Sequence, residues 1–513
     1  MSGVTPYLRK VCRQANRNSR WAVFLWLFSG WELKALVRVS TQDESFYLEK
    51  MDNKTNKEIK RWFDRNPITE TQTPQCTSLE EALEAVERAL PGKRDMALLA
   101  MAVYISRLVD LKTPLWLMFV GVPSSAKTEI ARMLTYALCI YFLDSLTENA
   151  FVSGSKTKTG EEPKDLLPLL DDKCFVIKDF TTTLSQREES VRKILGDLTS
   201  IYDDSFAKHS PVRGTIEYHA FFSLLCCVTP QALNRHQRYM NQIGPRFLFY
   251  RVPASIEEEV NKGLEVLWSS EDSRSRVREA QEKVSSYCNY IEESVSEKRL
   301  EKESKEVISY LNNLAKFIAR ARGMVLTRNA EFVNKEGETI SFYEPVEIQI
   351  EDPYRALLQL RVLARSLATV KGKSSVAFSE MDLVKQVALS SMPADRSLLL
   401  SVIARENKDW TAKEIADNLG ISHKTALRQL DELVSLKVVV KSEGGLGLAH
   451  IYRIKPVFES LLYSSTEFMS HPPTETQTPQ ETVVSSNKTS DQLTDGELLK
   501  IFLGATIKES IHD

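Results

Sequence analysis

The apolar run Leu115 to Val120 passes without a break into Gly121-Val122-Pro123-Ser124-Ser125-Ala126-Lys127-Thr128, and a helix-like stretch from Glu129 to Leu143 follows. A run of that length between Pro114 and Gly121 reads as a buried strand. Strand, tight turn and helix in direct succession open a βαβ unit. Such a unit commits the chain to a parallel sheet crossed by helices. The turn has the form G-x-x-x-x-A-K-T, one residue away from the phosphate-loop pattern G-x-x-x-x-G-K-[ST]. Each residue type has a physical task there. Backbone N–H groups of such a turn converge on an anion, and the N-terminus of the following helix adds partial positive charge. Lys127 offers a cation to the β- and γ-phosphates of ATP, and Thr128 offers a hydroxyl to Mg²⁺. Gly121, Pro123, Ser124, Ser125 and Ala126 form the rest of the cradle. The same residues would also serve as a plain loop, but the strand before and the helix after favour nucleotide binding.

Two further apolar runs of strand length, Cys174 to Ile177 and Phe221 to Val228, alternate with helical stretches. That order predicts an α/β fold, a parallel sheet with flanking helices. Upstream, Ser78-Leu79-Glu80-Glu81 reads as a capping box, and Leu79, Leu83, Val86 and Leu90 continue at helical spacing. From Ile256 to Arg322 the chain is charged and helix-like, with both signs interspersed as on a solvated face. The expected division is an N-terminal region with linker over 1–76, an α/β core over 77–255, a helical lid over 256–395, a winged helix over 396–462 and a tail over 463–513. The tail is rich in Ser, Thr, Pro and Gln and reads as disordered. It ends in an amphipathic stretch, Leu493 to Ile511, that docks a partner or nothing at all. The seven residues Thr69 to Gln75 recur at Thr474 to Gln480 and read as spacer.

Composition narrows the function classes. Lys and Arg total 67 against 69 for Asp and Glu, which excludes a polybasic coat for nucleic acid. Any such site is a local patch. The seven cysteines include no C-x-x-C pair, which argues against a zinc site or a disulfide framework and for a reduced, cytoplasmic compartment. Arg9, Lys10, Arg13, Arg17 and Arg20 precede the apolar run Trp21 to Phe28 in the order of a signal peptide. The run is far shorter than the roughly 20 residues a membrane helix needs, and Trp31 stands where a small cleavage-site residue belongs. A buried element, with no membrane partner, is the expectation.

With both Pro123 and Ala126 in place, the loop resembles the G-x-P-x-x-A-K-[ST] version of the minichromosome maintenance (MCM) helicases, ATPases of the AAA+ kind. Phe151-Val152-Ser153-Gly154-Ser155 is similar to a Ser-Gly segment that these proteins carry between their two Walker motifs. Cys174 to Phe180 resembles their hydrophobic strand ending in Asp-Glu-Phe. Leu224 to Pro230 resembles their sensor-1 strand, with Thr229 where Asn is usual, and Gly244-Pro245-Arg246-Phe247 resembles the motif that carries their arginine finger. The similarity spans residues 95–395 and is tightest at the loop.

The resemblance implies ATP and Mg²⁺ as ligands, with the metal held by Thr128 and Asp179. It implies catalytic roles for Lys127, Asp179, Thr229 and Arg246, and for a second arginine from the lid, Arg355 or Arg361. Asp179 serves as metal-side acid or as water-orienting acid, although an Asp at a strand end is often only a turn residue. Arg246 is expected to reach the nucleotide of a neighbouring copy in a homo-oligomeric ring; a plain salt bridge is the alternative. Lys178 departs from the pattern, which has an acid there. Neighbours along a strand face opposite sides, so Lys178 is free to point away and leave Asp179 alone.

Residues 410–455 read as a winged helix. Trp410 to Ser422 has the helix, glycine turn, helix pattern of a helix-turn-helix, and Ala426, Leu427, Leu430 and Leu433 bury one side of the second helix. His423, Lys424 and Arg428 then project from the other side, as DNA contacts or as part of a protein-contact surface. Lys208 and Arg213 flank a Pro/Gly turn that suits a DNA-facing pore loop and equally any exposed turn. Two functions fit: a ring-forming DNA-dependent ATPase or helicase in replication, or a DNA-binding regulator that uses ATP as a switch.

Overall fold

The computed structural model describes residues 22–29, 32–39, 77–110, 112–155, 164–203, 205–235, 246–269, 273–295, 300–333, 339–406, 408–443 and 449–462. The chain divides into two compact units, Met1–Cys76 and Thr77–Asp513. In the first, β1 (Ala22–Ser29) and β2 (Glu32–Val39) pair antiparallel, Ala22 opposite Val39. The apolar run behind the N-terminal arginines is thus largely one strand of a hairpin. Among the described residues no helix is long and apolar enough to cross a membrane. The spacer repeat and the amphipathic stretch at Leu493 to Ile511 lie outside the described residues.

The second unit is built on β3 (Trp116–Val120), β4 (Ile140–Leu143), β5 (Cys174–Ile177), the hairpin β6 (Phe206–Ser210) and β7 (Gly214–Tyr218), then β8 (Ser223–Val228) and β9 (Leu248–Arg251). Five of these form a sheet in the order β4-β5-β8-β3-β9, and every neighbouring pair is parallel. Strand alternation divides the sheet's residues between two cores. Leu117, Phe119, Cys174, Val176, Leu225 and Cys227 join one core with the helices Leu79–Ala89 and Arg94–Val109. Trp116, Met118, Phe175, Ile177, Leu224 and Cys226 join the other with the helix Glu188–Tyr202. Burial on both faces is why these strands read as continuous apolar runs. The α/β fold with flanking helices expected from the sequence is present.

Two stretches differ from expectation. The helix foreseen over Glu129 to Leu143 stops at Arg132, after a start at Lys127, and its last residues become β4. Ile140, Tyr141 and Phe142 are β-branched or aromatic, and pairing with β5 at the sheet edge outweighs the helical run. The region 256–395 is also not all helical. Between the helices Lys305–Ala321 and Tyr354–Val370 stands a long hairpin, β10 (Met324–Val333) with β11 (Thr339–Gln349).

Beyond the helix Ala394–Ile403, the short strands β12 (Trp410–Thr411), β13 (Val439–Ser442) and β14 (Ile451–Ile454) form an antiparallel sheet in the order β12-β14-β13. Thr411 and Glu414 make a capping box that starts the helix Ala412–Leu419. Gly420 ends it at φ 64°, a left-handed conformation that glycine adopts without penalty. Ser422 then caps the helix His423–Ser435, which buries Ala426, Gln429, Leu430 and Leu433.

Candidate functional site

Because the five sheet strands run the same way, their C-terminal ends lie along one edge. Ligands of open α/β sheets bind in the crevice outside such an edge. The edge here carries Gly121 after β3, Asp144 after β4, Lys178 and Asp179 after β5, and Thr229 after β8. The structure therefore brings Lys127, Thr128, Asp179 and Thr229 together, as the sequence suggested.

The Gly121 turn is tightly drawn. The Gly121 amide donates to Val228 O at 3.2 Å, and a Cβ on Gly121 would meet Ser125 Oγ at 2.6 Å. Ser124 and Ala126 both sit at φ 63°. That conformation costs a residue with a Cβ about 1–2 kcal/mol, so the turn holds strain at the two places where its backbone changes direction. Lys127 is buried and fills the turn. Its Nζ donates to Gly121 O and Val122 O, both at 2.7 Å, and to Ser125 Oγ at 3.1 Å. Burial pushes its pKa below the ordinary lysine value, against the pull of Cys227 and Asp179. An ammonium held by neutral oxygens in a desolvated site is poised to gain from an arriving anion.

The acids are arranged asymmetrically. Asp179 is exposed, and its Oδ1 accepts from the Thr181 amide at 3.0 Å, capping the helix Phe180–Leu184. It is thus a turn residue and also within electrostatic reach of Lys127. Thr128 Oγ1 donates to Lys178 O at 3.3 Å, which leaves its lone pairs for a cation. The Thr229 amide donates to Thr181 Oγ1 at 3.2 Å and ties the ends of β8 and β5 together. Lys178 Nζ pairs with Asp144 Oδ1 at 2.8 Å. β4 lies on the side of β5 away from β8 and β3, so this ammonium points away from the turn. Asp144 and Thr181 belong to the site and were not foreseen; neither stands in a recognisable motif.

The arginines occupy the opposite edge. Leu117 pairs with Leu248 and Val120 with Arg251. Arg246, two residues before β9, therefore lies beside the beginning of β3, whereas the turn lies past its end. At about 3.3 Å per residue the separation is roughly 20 Å. Arg246 donates to Asp203 Oδ2 at 2.7 Å and lies 6.0 Å from the Tyr202 ring centre. Burial pushes the Tyr202 phenol up to about 12, against the Gln359 hydrogen bond and the charges of Arg355 and Arg246. Arg355 thus shares that edge, and neither arginine touches its own chain's turn. Gly244 and Pro245 lie outside the described residues.

The other candidate, Arg361, is committed elsewhere. It donates to Glu303 at 2.9 and 3.1 Å, and Arg365 donates to the same carboxylate at 2.7 Å. Burial raises the Glu303 carboxyl, but the two arginines outweigh it and bring the group down to about 2. A depressed folded-state pKa stabilises above the unfolded value, and the gain is lost as pH falls through the folded one. Glu303→Gln is therefore expected to lower stability at neutral pH by about 1–3 kcal/mol. In denaturant titrations the gap to wild type should close between the ordinary carboxylate range and about pH 2. A gap independent of pH would refute the charge assignment.

The two cations expected at a pore loop have partners within the chain. A hairpin, β6–β7, does stand at residues 206–218, with Pro211 and Val212 exposed at its tip. Arg213, however, is turned inward. Its side chain is 6% exposed and pairs at 2.9 Å with Asp165, itself 1% exposed, while it also donates to Ser153 O. Lys208 Nζ donates to Val152 O at 2.9 Å and Asn149 Oδ1 at 3.3 Å. These two residues fasten the hairpin to the segment Phe151 to Ser155, Lys208 through Val152 O and Arg213 through Ser153 O, and Arg213 supplies the cation that the buried Asp165 carboxylate needs.

On the helix His423–Ser435, the side chains of His423, Lys424 and Arg428 are exposed. Residues 444–448, between β13 and β14, lie outside the described residues.

Among the described residues no group of three or more His, Cys, Asp or Glu could hold a metal ion. Magnesium commonly needs only one or two protein ligands beside substrate phosphates, and Thr128 and Asp179 are the oxygen-bearing side chains at this edge that a cation there would meet. No protein-family model matches the chain, and no curated protein matches it.

Proposed function

We propose that this chain is an ATP-hydrolysing motor of the AAA+ kind, resembling the MCM helicases, that works as a homo-oligomeric ring on DNA. The observation that carries the reading is the strained Gly121–Thr128 turn at the end of a central parallel strand, with Lys127 buried inside it and Asp179 and Thr229 on the same edge. On this reading the turn is a phosphate loop. Lys127 would exchange its carbonyl partners for phosphate oxygens, and Thr128 and Asp179 would hold Mg²⁺, which would neutralise charge on the phosphates. Thr229 would supply a hydroxyl that orients the reacting group. Arg246 and Arg355, on the far edge, serve the turn of the next copy. The region 256–395 acts as lid, and residues 396–462 act as a winged helix with His423, Lys424 and Arg428 toward DNA.

The test is ATP turnover by the full chain with and without single-stranded DNA, together with strand displacement. Absence of Mg²⁺-dependent turnover and of ATP binding would end the proposal.

A second reading, an ATP-switched DNA-binding regulator, is favoured by one specific observation. Lys178 occupies the place of an acid and is paired with Asp144, so the edge offers one carboxylate to the nucleotide where two are usual. Loss of one catalytic group costs about 10²–10⁴-fold. Wild-type turnover is therefore expected well below the median enzyme's roughly 10 per second, with ATP binding intact. Steady-state measurement at saturating Mg²⁺ and DNA checks this, and turnover of tens per second would mean that another acid serves.

A further inference from the structure

The hairpin β10–β11 and the helix His423–Ser435 line an open cleft of about 170 Å³. Tyr343 stands on the hairpin wall, 39% exposed. Lys424 Nζ and Arg428 Cζ lie 5.7 and 5.9 Å from its ring centre. Pro345 and Leu427 add apolar surface, and Asp431 and Glu432 bring carboxylates to the same cleft. Each acid already has one cation, Lys441 at 3.0 Å for Asp431 and Arg396 at 3.2 Å for Glu432. A carboxylate accepts about four hydrogen bonds, so both keep acceptor capacity.

The walls are fixed to each other. Arg396 donates to Glu432 and also to the carbonyls of Ala321 at 2.9 Å and Gly323 at 2.6 Å, at the root of the hairpin. A Cβ on Gly323 would lie 2.5 Å from Leu436 Cδ2 and 2.9 Å from two backbone oxygens. The hairpin root and the end of the helix thus touch, and the cleft above them is preformed.

Its volume equals that of about five or six waters, room for one planar heterocycle. Both cations lie over the Tyr343 ring on long side chains, so a base that takes their place on the ring meets them again at its own phosphates, with acceptors beside it. Bases stack on aromatic side chains while phosphates meet Lys or Arg. A duplex shows only base edges in its grooves and cannot lay a base on Tyr343.

We propose that this cleft binds one unstacked base of single-stranded DNA. The base stacks on Tyr343, an exocyclic amine donates to Asp431 or Glu432, and the flanking phosphates sit on Lys424 and Arg428. The proposal rests on the DNA-binding reading of this helix and assigns it a strand preference and a contribution from the hairpin.

The experiment measures binding of short fluorescent oligo(dA) and of a duplex to the full chain over a range of salt. Tyr343→Ala should weaken oligo(dA) binding about tenfold, as loss of one stacked base does. The slope of affinity with salt should be unchanged and duplex binding unaffected, and Tyr343→Phe should restore affinity. Lys424→Glu with Arg428→Glu should instead flatten the salt slope. If the charge variant weakens binding and Tyr343→Ala does not, the helix binds DNA but the cleft takes no base. If Tyr343→Ala weakens single strand and duplex equally, the tyrosine only braces the helix and the proposal falls. If the wild-type chain binds no DNA, the DNA-binding reading fails and the cleft assignment with it.

Discussion

Lys127→Ala is expected to abolish ATP turnover, a loss of at least about 10³-fold for a group that stabilises developing charge, while leaving the fold nearly intact. The ammonium makes three hydrogen bonds inside the turn, each worth about 1 kcal/mol net. Burial works against them by disfavouring the charged form. The two effects oppose each other, so the melting temperature should fall by less than three hydrogen bonds alone would give, whereas the stabilisation that ATP and Mg²⁺ give the wild type should vanish. Turnover assays and thermal melts with and without nucleotide separate these effects. Wild-type turnover in a folded Lys127→Ala protein would remove the phosphate-loop assignment.

Arg246→Ala should bind ATP nearly normally and hydrolyse it about 10³-fold more slowly, on the scale of lost arginine fingers. The residue lies on the sheet edge away from its own turn, so the proposed role is one at the nucleotide of another copy. Mixing Arg246→Ala with Lys127→Ala should then restore part of the activity at mixed interfaces. In the single chain Arg246 is held by Asp203, and Asp203→Ala provides the control: it removes that partner and keeps the arginine. Normal turnover by Arg246→Ala, or turnover independent of protein concentration in a strictly monomeric sample, would show that no trans contact exists.

The sheet was legible because strands buried on both faces show as near-continuous apolar runs, and Leu115 to Val120, Cys174 to Ile177 and, but for Ser223, Phe221 to Val228 are such runs. β4 was not, because its residues at the sheet edge are only half-buried and no glycine or proline separates them in sequence from the helix-like run that begins at Glu129. The hairpin β10–β11 carried a signal that charge obscured. Thr339, Ile340, Phe342, Tyr343, Val346 and Ile348 are strand formers, and Asn334-Lys335-Glu336-Gly337-Glu338 reads as a turn. At the site, local motifs named Lys127, Thr128, Asp179 and Thr229. Asp144 could not be named, because its part comes from pairing with Lys178 across strands distant in sequence. The inward turn of Arg213 was hidden for the same reason: Asp165 lies 48 residues earlier.

The placement of the turn and the two arginines on opposite edges of one sheet also bears on how copies would assemble. If each site is completed by a neighbour, the contact joins unlike surfaces, the turn edge of one copy to the arginine edge of the next. Head-to-tail contacts of this kind do not close in a two-fold dimer that uses one shared patch; they close only as a cycle or continue as a filament. In an open row the first copy has a turn without arginines and the last has arginines without a turn. Closing the cycle adds one complete site for no additional chain, so activity per chain would rise at the concentration where the last gap is filled.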